Sequence, residues 1–343
     1  MMATNDDDPP AAVAAGASKI TKAQDITQND TAEAEAETEA VGPIKIKLSP
    51  VEQTMIVTLW TRAQDAESEK PVVGDVYARA ILDRIATDSL RPNMLPSDRR
   101  YGAYTAVRTR QLDAWCRAFI DTHAKTNTPV AVLHLACGLD MRALRLRPSC
   151  GANVRWVDVD RPEVVSLRHR LVPDPTMGAP RGAGRADAEP WDYRLLAASV
   201  GADADVDAWA EAVPRDRPLL VVAEGLFPYL EPEEGAKLLC KLVDHAPAGS
   251  QIVLDIVGTI MTRYHDFIPL FRGTGVRMKW SVDDGEDIAA LHPRLQLTDT
   301  VRFHDLLPGW FASGAPPCLG PLTPVFSLLP SWRRYGQMMR FEF

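Results

Sequence analysis

The 343-residue sequence contains no run of about 18 apolar residues, so no helix is expected to span a bilayer. Its first residues include Asp6, Asp7 and Asp8 rather than a basic segment leading into an apolar stretch. No secretory leader is expected, and a reduced, cytoplasmic location is the default. The five cysteines (Cys116, Cys137, Cys150, Cys240 and Cys318) are odd in number, and no two form a CxxC pair or sit beside a histidine cluster. Neither a disulfide framework nor a metal site is expected. There is no GxGxxG, no GxSxG elbow and no internal repeat, which removes the usual signatures of a dinucleotide-binding turn and of a serine hydrolase.

Net charge of either sign is also scarce outside the first 43 residues. The net charge is -8, and nine of the 46 acids but only two of the 38 bases, Lys19 and Lys22, lie in 1–43. The remaining 37 acids and 36 bases nearly cancel, so there is no basic footprint for nucleic acid. The stretch through "TAEAEAETEA" has no aromatic residue and too little apolar surface to offset its ordering entropy, so 1–43 is expected to be a disordered acidic tail. Over the whole chain, 46% hydrophobic and 24% charged residues suffice for a buried core.

What is present is an alternation. Helices are predicted over Pro50 to Ala66 and Gly74 to Thr87, and an amphipathic one over Ala103 to Ala124, with Val107, Leu112, Trp115, Phe119 and Ile120 at helical spacing. Short apolar runs follow, "VAVLHLA", "VRWVDVD", "YRLLAAS", "PLLVVAEG" and "QIVLDIVG", which read as strands buried on both faces. Helices are predicted between them over Val164 to Leu171, Val206 to Ala212 and Glu233 to His245. The last has Pro232 near its first turn, flanked by Glu231, Glu233 and Glu234 at the positive end of the dipole. Such alternation predicts an α/β fold, a doubly wound and mostly parallel sheet. "TDTVRFHDLL" and "YGQMMRFEF" predict an antiparallel C-terminal edge.

The chemistry-bearing residues fall at strand ends. "HLACGLDMRALRL" brings Ala136, Cys137 and Gly138 to a tight turn, where small residues let backbone N–H groups approach a ligand. The next strand ends at Asp158 and Asp160, about 20 residues on, a spacing suited to a carboxylate that binds both ribose hydroxyls. Strand alternation is expected to leave one of the two toward the ligand, and Asp160 is favoured. Without a diphosphate-binding glycine set, a nucleoside lacking a pyrophosphate fits better than NAD. Glu224 ends the apolar run "PLLVVA", where an unpartnered carboxylate would cost several kcal/mol.

Read in order, "LWTRAQDAESEKPVVGDVYA", "AVRTRQLDAW", "VLHLACGLDMRALRL", "RWVDVDRPEVVSLRHRL", "YRLLAASV", "RPLLVVAEGLFPYLEPEE" and "GSQIVLDIV" resemble successive blocks of the leucine carboxyl methyltransferase and tetracenomycin-type polyketide O-methyltransferase family, over roughly Thr54 to Val257. The resemblance implies a Rossmann-like, seven-stranded sheet and S-adenosyl-L-methionine as cofactor. It divides 44–343 into an N-terminal helical cover (44–128), a cofactor-binding core (129–257), an acceptor-pocket cover (258–298) and C-terminal strands (299–343). Arg62 and Arg108 would hold the methionine carboxylate, Ala136 and Gly138 would lie against the cofactor, Asp160 (or Asp158) on its ribose, Ser199 and Val200 beside its adenine, and Glu224 on its amino group. Three positions depart from the family pattern. Ala136 replaces a glycine, Met141 a threonine, and Ser199 a common aspartate, which puts cofactor affinity, loop shape and the base contact in question.

For the acceptor, Tyr229, His265 and His304 are the candidate catalytic groups, the histidines as bases if the acceptor is a phenol. His134 reads as a satisfied core histidine. The resemblance implies a soluble O-methyltransferase acting on a carboxylate or phenol of a small secondary metabolite such as a polyketide, with no nucleic-acid or membrane partner. The alternatives are methylation of a protein's C-terminal leucine, a non-catalytic scaffold on the same fold, and an NAD-dependent oxidoreductase.

Overall fold

The computed structural model describes residues 43–46, 49–86, 100–172, 191–200, 207–264, 266, 276–306 and 330–343. The acidic tail, and His265 with most of the aromatic segment around it, lie outside the described residues.

Helix α1 (Pro50–Ala66) is followed by a loop held by Asp65, whose carboxylate accepts the N–H groups of Val72, Val73 and Gly74 at 2.8, 2.9 and 3.0 Å. Asp75 then caps α2 (Val76–Asp83) by accepting from the Tyr77 N–H. This helix is shorter than the expected Gly74 to Thr87, because Ile85 leaves it to form a parallel bridge with Ile44. Helix α3 (Arg100–Ala124) buries Leu112, Trp115, Phe119 and Ile120. There follow β1 (Val130–Leu135), α4 (Arg142–Leu146), β2 (Val154–Asp160), α5 (Pro162–Leu171), β3 (Asp192–Ala197), α6 (Asp207–Ala212), β4 (Leu219–Ala223) and α7 (Pro232–His245). Glu231 precedes α7, and the Glu234 carboxylate accepts the Glu231 N–H at 3.1 Å. The chain continues through β5 (Gln251–Val257), α8 (Thr259–Tyr264), α9 (Gly285–Ala289), β6 (Gln296–Arg302), α10 (Pro330–Arg333) and β7 (Gly336–Glu342).

The seven strands form one sheet in the order β3-β2-β1-β4-β5-β7-β6, parallel through β5. Strand β7 runs antiparallel to both β5 and β6, which makes the expected antiparallel edge. One expectation fails within it. The strand read into "TDTVRFHDLL" ends at Arg302, and 303–306 turn into a helix whose first residue, Phe303, is buried under the stacked ring of Tyr104.

Alternation along each strand sends side chains to two cores. Ala131, Leu133, Val157 and Val221 meet Trp209 and the Leu238, Leu239 and Leu242 stripe of α7 on one face. Val130, Val132, Trp156 and Val222 meet α3 on the other. A third cluster joins Ile56, Leu59 and Ala63 of α1 and Ile81 of α2 to Leu139, Met141, Leu167 and Leu171. The N-terminal helices therefore pack directly on the turn after β1. Among the described residues no helix is long and apolar enough to cross a membrane.

Gly235 marks a close approach, since a Cβ there would lie 2.1 Å from the Trp280 ring. Alanine would gain about 1 kcal/mol of helix propensity, whereas overpacking a core costs roughly 1–3 kcal/mol, and the buried indole has little room to move. Gly235→Ala is therefore expected to destabilise the protein, read as a fall in the urea midpoint; a rise would mean that Trp280 is free to shift.

Candidate functional site

The strand order runs outward from β1 to β3 in one direction and from β4 to β5 in the other, so β1 and β4 flank the switch point at which open α/β sheets bind ligands. A cavity of about 530 Å³ opens there. Its floor begins with the turn after β1, in which Ala136 and Gly138 take positive φ angles of 50° and 52°. Gly138 is suited to this backbone, and a Cβ on it would lie 3.1 Å from the Met55 side chain. Ala136 adopts the same left-handed region as a strained alanine.

Asp160 anchors the turn. Its Oδ2 accepts the Gly138 N–H at 2.6 Å and its Oδ1 the Arg161 N–H at 2.8 Å. Burial raises its pKa, only partly offset by those two N–H groups. A carboxylate has about four acceptor sites, so two described bonds leave it capacity for a ligand, and it lines the cavity.

Asp158 does not line the cavity. It is fully buried, and it accepts from Arg168 Nη2 at 2.6 Å, Trp156 Nε1 at 2.7 Å, the Tyr193 hydroxyl at 2.9 Å and His134 Nδ1 at 3.2 Å. The ground for choosing between the two carboxylates is corrected here, because residues two apart on a strand share a face. Depth separates them, with Asp160 at the strand tip and Asp158 one pleat below in the layer of Trp156 and Tyr193.

Glu224, just past the end of β4, is the meeting point of three elements. Arg108 Nε of α3 donates to its Oε1 at 3.0 Å, the Thr109 hydroxyl donates to the same oxygen at 2.8 Å, and Arg142 Nη2 of α4 donates to Oε2. Burial alone would raise this carboxyl, but Arg108 and Arg142 outweigh it and hold the pKa at about 2. Arg108 also donates from Nη1 to Asp255 Oδ2 at 3.0 Å, and the other Asp255 oxygen accepts the Gly225 N–H at 2.6 Å. The ion pairs continue outward. Arg142 meets Asp113 at 2.7 Å, Arg145 meets Asp113, Asp140 and Asp75 at 2.7, 3.0 and 3.1 Å, and Arg62 meets Asp75 at 3.2 Å. Sequence reasoning missed Arg142, Arg168 and Asp255. For Asp255 a signal exists, an acid inside "QIVLDIV" like Glu224 after "PLLVVA". The arginines lie on helices, where sequence alone reads them as solvated.

Arg62, Arg108, Ala136, Gly138, Asp160, Ser199, Val200 and Glu224 all line the cavity, so the expected cofactor contacts are brought together, Asp158 excepted. Arg62 is buried, and its Nη2 donates to the Leu139 carbonyl at 3.3 Å. Met141 points away into the α1 and α2 cluster, so this departure from the family pattern places no new side chain in the cavity. Tyr229 lines it, and burial pushes its phenol up to about 12, so it is a neutral hydrogen-bonding group rather than a base. His134 also lines the cavity, with both ring nitrogens engaged. Arg142 Nη1 has only protons to offer Nε2 at 3.2 Å, so Nε2 accepts and Nδ1–H donates to Asp158. His304 sits on the 303–306 helix beside Asp305 at 3.4 Å and is not among the lining residues.

Comparison with known proteins gives the following. The family model described as "Leucine carboxyl methyltransferase" matches residues 54–243. The chain is similar to the tetracenomycin polyketide synthesis O-methyltransferase TcmP of Streptomyces glaucescens, 32% identical over 298 residues, which is 87% of this chain and 98% of that protein. It is also similar to the S-adenosyl-L-methionine-dependent methyltransferase dpfgK of Gibberella zeae, 32% identical over 287 residues, covering 78% of this chain and 89% of the other.

Two outcomes are expected of this geometry. Relieving the left-handed alanine gains ~1–2 kcal/mol, and the extra freedom of glycine in the unfolded chain takes back ~0.4–1 kcal/mol. Ala136→Gly should therefore raise stability by about 0.5–1 kcal/mol in denaturant titrations, and a loss would show that the alanine is unstrained. The second concerns acid. Because Glu224 titrates at about 2 when folded and at 4.5 ordinarily, its contribution is complete above pH 4.5 and is lost as pH falls toward 2. Glu224→Gln should be less stable at pH 7 and should lose less stability than the parent between pH 4.5 and 2, measured by urea unfolding at stepped pH.

Proposed function

The chain belongs to the leucine carboxyl methyltransferase family, and on that premise we propose that it transfers a methyl group from S-adenosyl-L-methionine to a carboxylate or phenolic oxygen of a small secondary metabolite such as a polyketide. The observation that carries the reading is the meeting, on one cavity, of the Gly138 turn, the Asp160 carboxylate and the Arg108–Glu224 pair. Asp160 is suited to the ribose hydroxyls, Glu224 to the ammonium of the methionine portion, and Arg62 and Arg108 to its carboxylate.

When bound, the cofactor supplies an already activated sulfonium methyl group. The protein's share is alignment of the acceptor oxygen and exclusion of water. Thr54, Met55 and Thr58 of α1 wall the cavity on the side of the helical cover, and Tyr229 with Leu230 lies on its rim after β4. Among the described lining residues, His134 is engaged at both nitrogens and Tyr229 is a neutral phenol. An acceptor that arrives already ionised needs no base, which favours a carboxylate over a phenol. A small molecule is favoured over a protein C-terminus by the likeness to TcmP, which extends over 98% of that protein.

The test is calorimetric titration with S-adenosyl-L-methionine and S-adenosylhomocysteine, with Asp160→Asn and Glu224→Ala alongside. Micromolar binding, about -8 kcal/mol, that weakens at least tenfold in both variants is expected. Well-folded wild-type protein that binds neither compound would sink the reading. With binding in hand, transfer of labelled methyl to aromatic polyketide acids, but not to a peptide ending in leucine, is the expected acceptor pattern.

A further inference from the structure

The turn that meets the cofactor is bonded on two sides. On the cavity side Asp160 takes the Gly138 N–H. On the other side is Arg168 of α5, 1% exposed and absent from the cavity lining. Its Nη1 donates to the Gly138 carbonyl at 2.8 Å and to the Asp140 carbonyl at 2.9 Å. Its Nη2 donates to Asp158 at 2.6 Å and lies 3.4 Å from the Tyr193 hydroxyl. The guanidinium is thus a rigid fork with one arm on the backbone of the turn and the other on a carboxylate that Trp156 and His134 also hold. In a trans peptide the N–H points opposite to the preceding C=O. With the carbonyls of 138 and 140 drawn to Arg168, the N–H groups of Leu139 and Met141 face away from it.

We propose that Arg168 is a positioning residue for cofactor binding: without touching the cofactor, it holds the 136–141 turn in its ligand-accepting shape, strained alanine included. The inference rests on reading the cavity as the S-adenosyl-L-methionine site. It explains how a turn with alanine in place of a leading glycine keeps a left-handed backbone, since three hydrogen bonds from Arg168 and Asp160 reach Gly138 and Asp140 just after it. It also gives Asp158 a task, that of orienting Arg168 rather than binding ribose. A lysine does not replace the fork, because a single ammonium cannot span two carbonyls and a carboxylate in that planar arrangement.

The test uses the full chain with Arg168→Gln and Arg168→Lys, reading hydrogen exchange without ligand and affinity for S-adenosyl-L-methionine. Expected in Arg168→Gln are faster exchange at 136–141 with β5 unchanged, and a dissociation constant raised at least tenfold. Arg168→Lys should give a smaller loss, and Ala136→Gly added to Arg168→Gln should recover part of the affinity, because glycine takes the left-handed backbone unaided. Wild-type affinity in a folded Arg168→Gln, or exchange that quickens in β5 as much as in the turn, would overturn the proposal and leave Arg168 a general core residue. If Arg168→Gln does not fold, wild-type affinity in Arg168→Lys overturns it equally. Failure of the wild type to bind would fall on the assignment of the cofactor, whereas the exchange pattern still decides what Arg168 does to the turn.

Discussion

A carboxylate that stands at the inner end of an apolar strand must be ionised against a desolvation cost, and Glu224 meets that constraint by drawing guanidinium groups from two helices. The arrangement of the cavity follows from it. Arg108 fixes α3 against the ends of β4 and β5, through Glu224 and Asp255. Arg142 fixes α4, and through Asp113, Arg145 and Asp75 the chain of charges reaches Arg62 on α1. The helical cover is therefore tied to the sheet by ions as well as by the apolar cluster around Leu139 and Met141. Well-packed apolar residues of similar volume often match or exceed such a network in stability. Its retention in the floor of a cavity speaks for geometry and charge rather than for stability.

The acids around the cavity differ in how they are held. Glu224 is held ionised, whereas burial raises Asp160, moderated by the Gly138 and Arg161 N–H groups, and Asp255, moderated first by Arg108 and then by the Gly225 N–H.

The fold was legible because each parallel strand is a short apolar run with helical spacing between runs, a pattern that two-sided burial imposes. Asp160 was legible from its spacing after the Gly138 turn, and Glu224 because a carboxylate at the end of an apolar run needs a partner. What the sequence withheld is what sits on helices. Arg142 and Arg168 look like solvated positions in "MRALRL" and "SLRHRL", and only the fold shows them buried. Their partners Glu224 and Asp158 lie far from them along the chain or in another element, beyond what local spacing can reveal. Phe303 misled in the opposite sense, since "TVRFHDLL" has strand composition throughout, yet packing against Tyr104 ends the strand at Arg302.

The placement of β7 between β5 and β6 bears on the order in which the sheet can be assembled. During synthesis β6 emerges before β7, and among the described residues its neighbour in the sheet is β7. Strand β5, with Ile252, Val253, Leu254 and Ile256 buried in the finished protein, pairs with β4 on one side and, among the described residues, with β7 (336–342) on the other. Until β7 pairs with it, β5 presents an apolar edge beside the strands that line the cavity. Emergence of 336–342, rather than of the strands around the cavity, is the step that closes this edge.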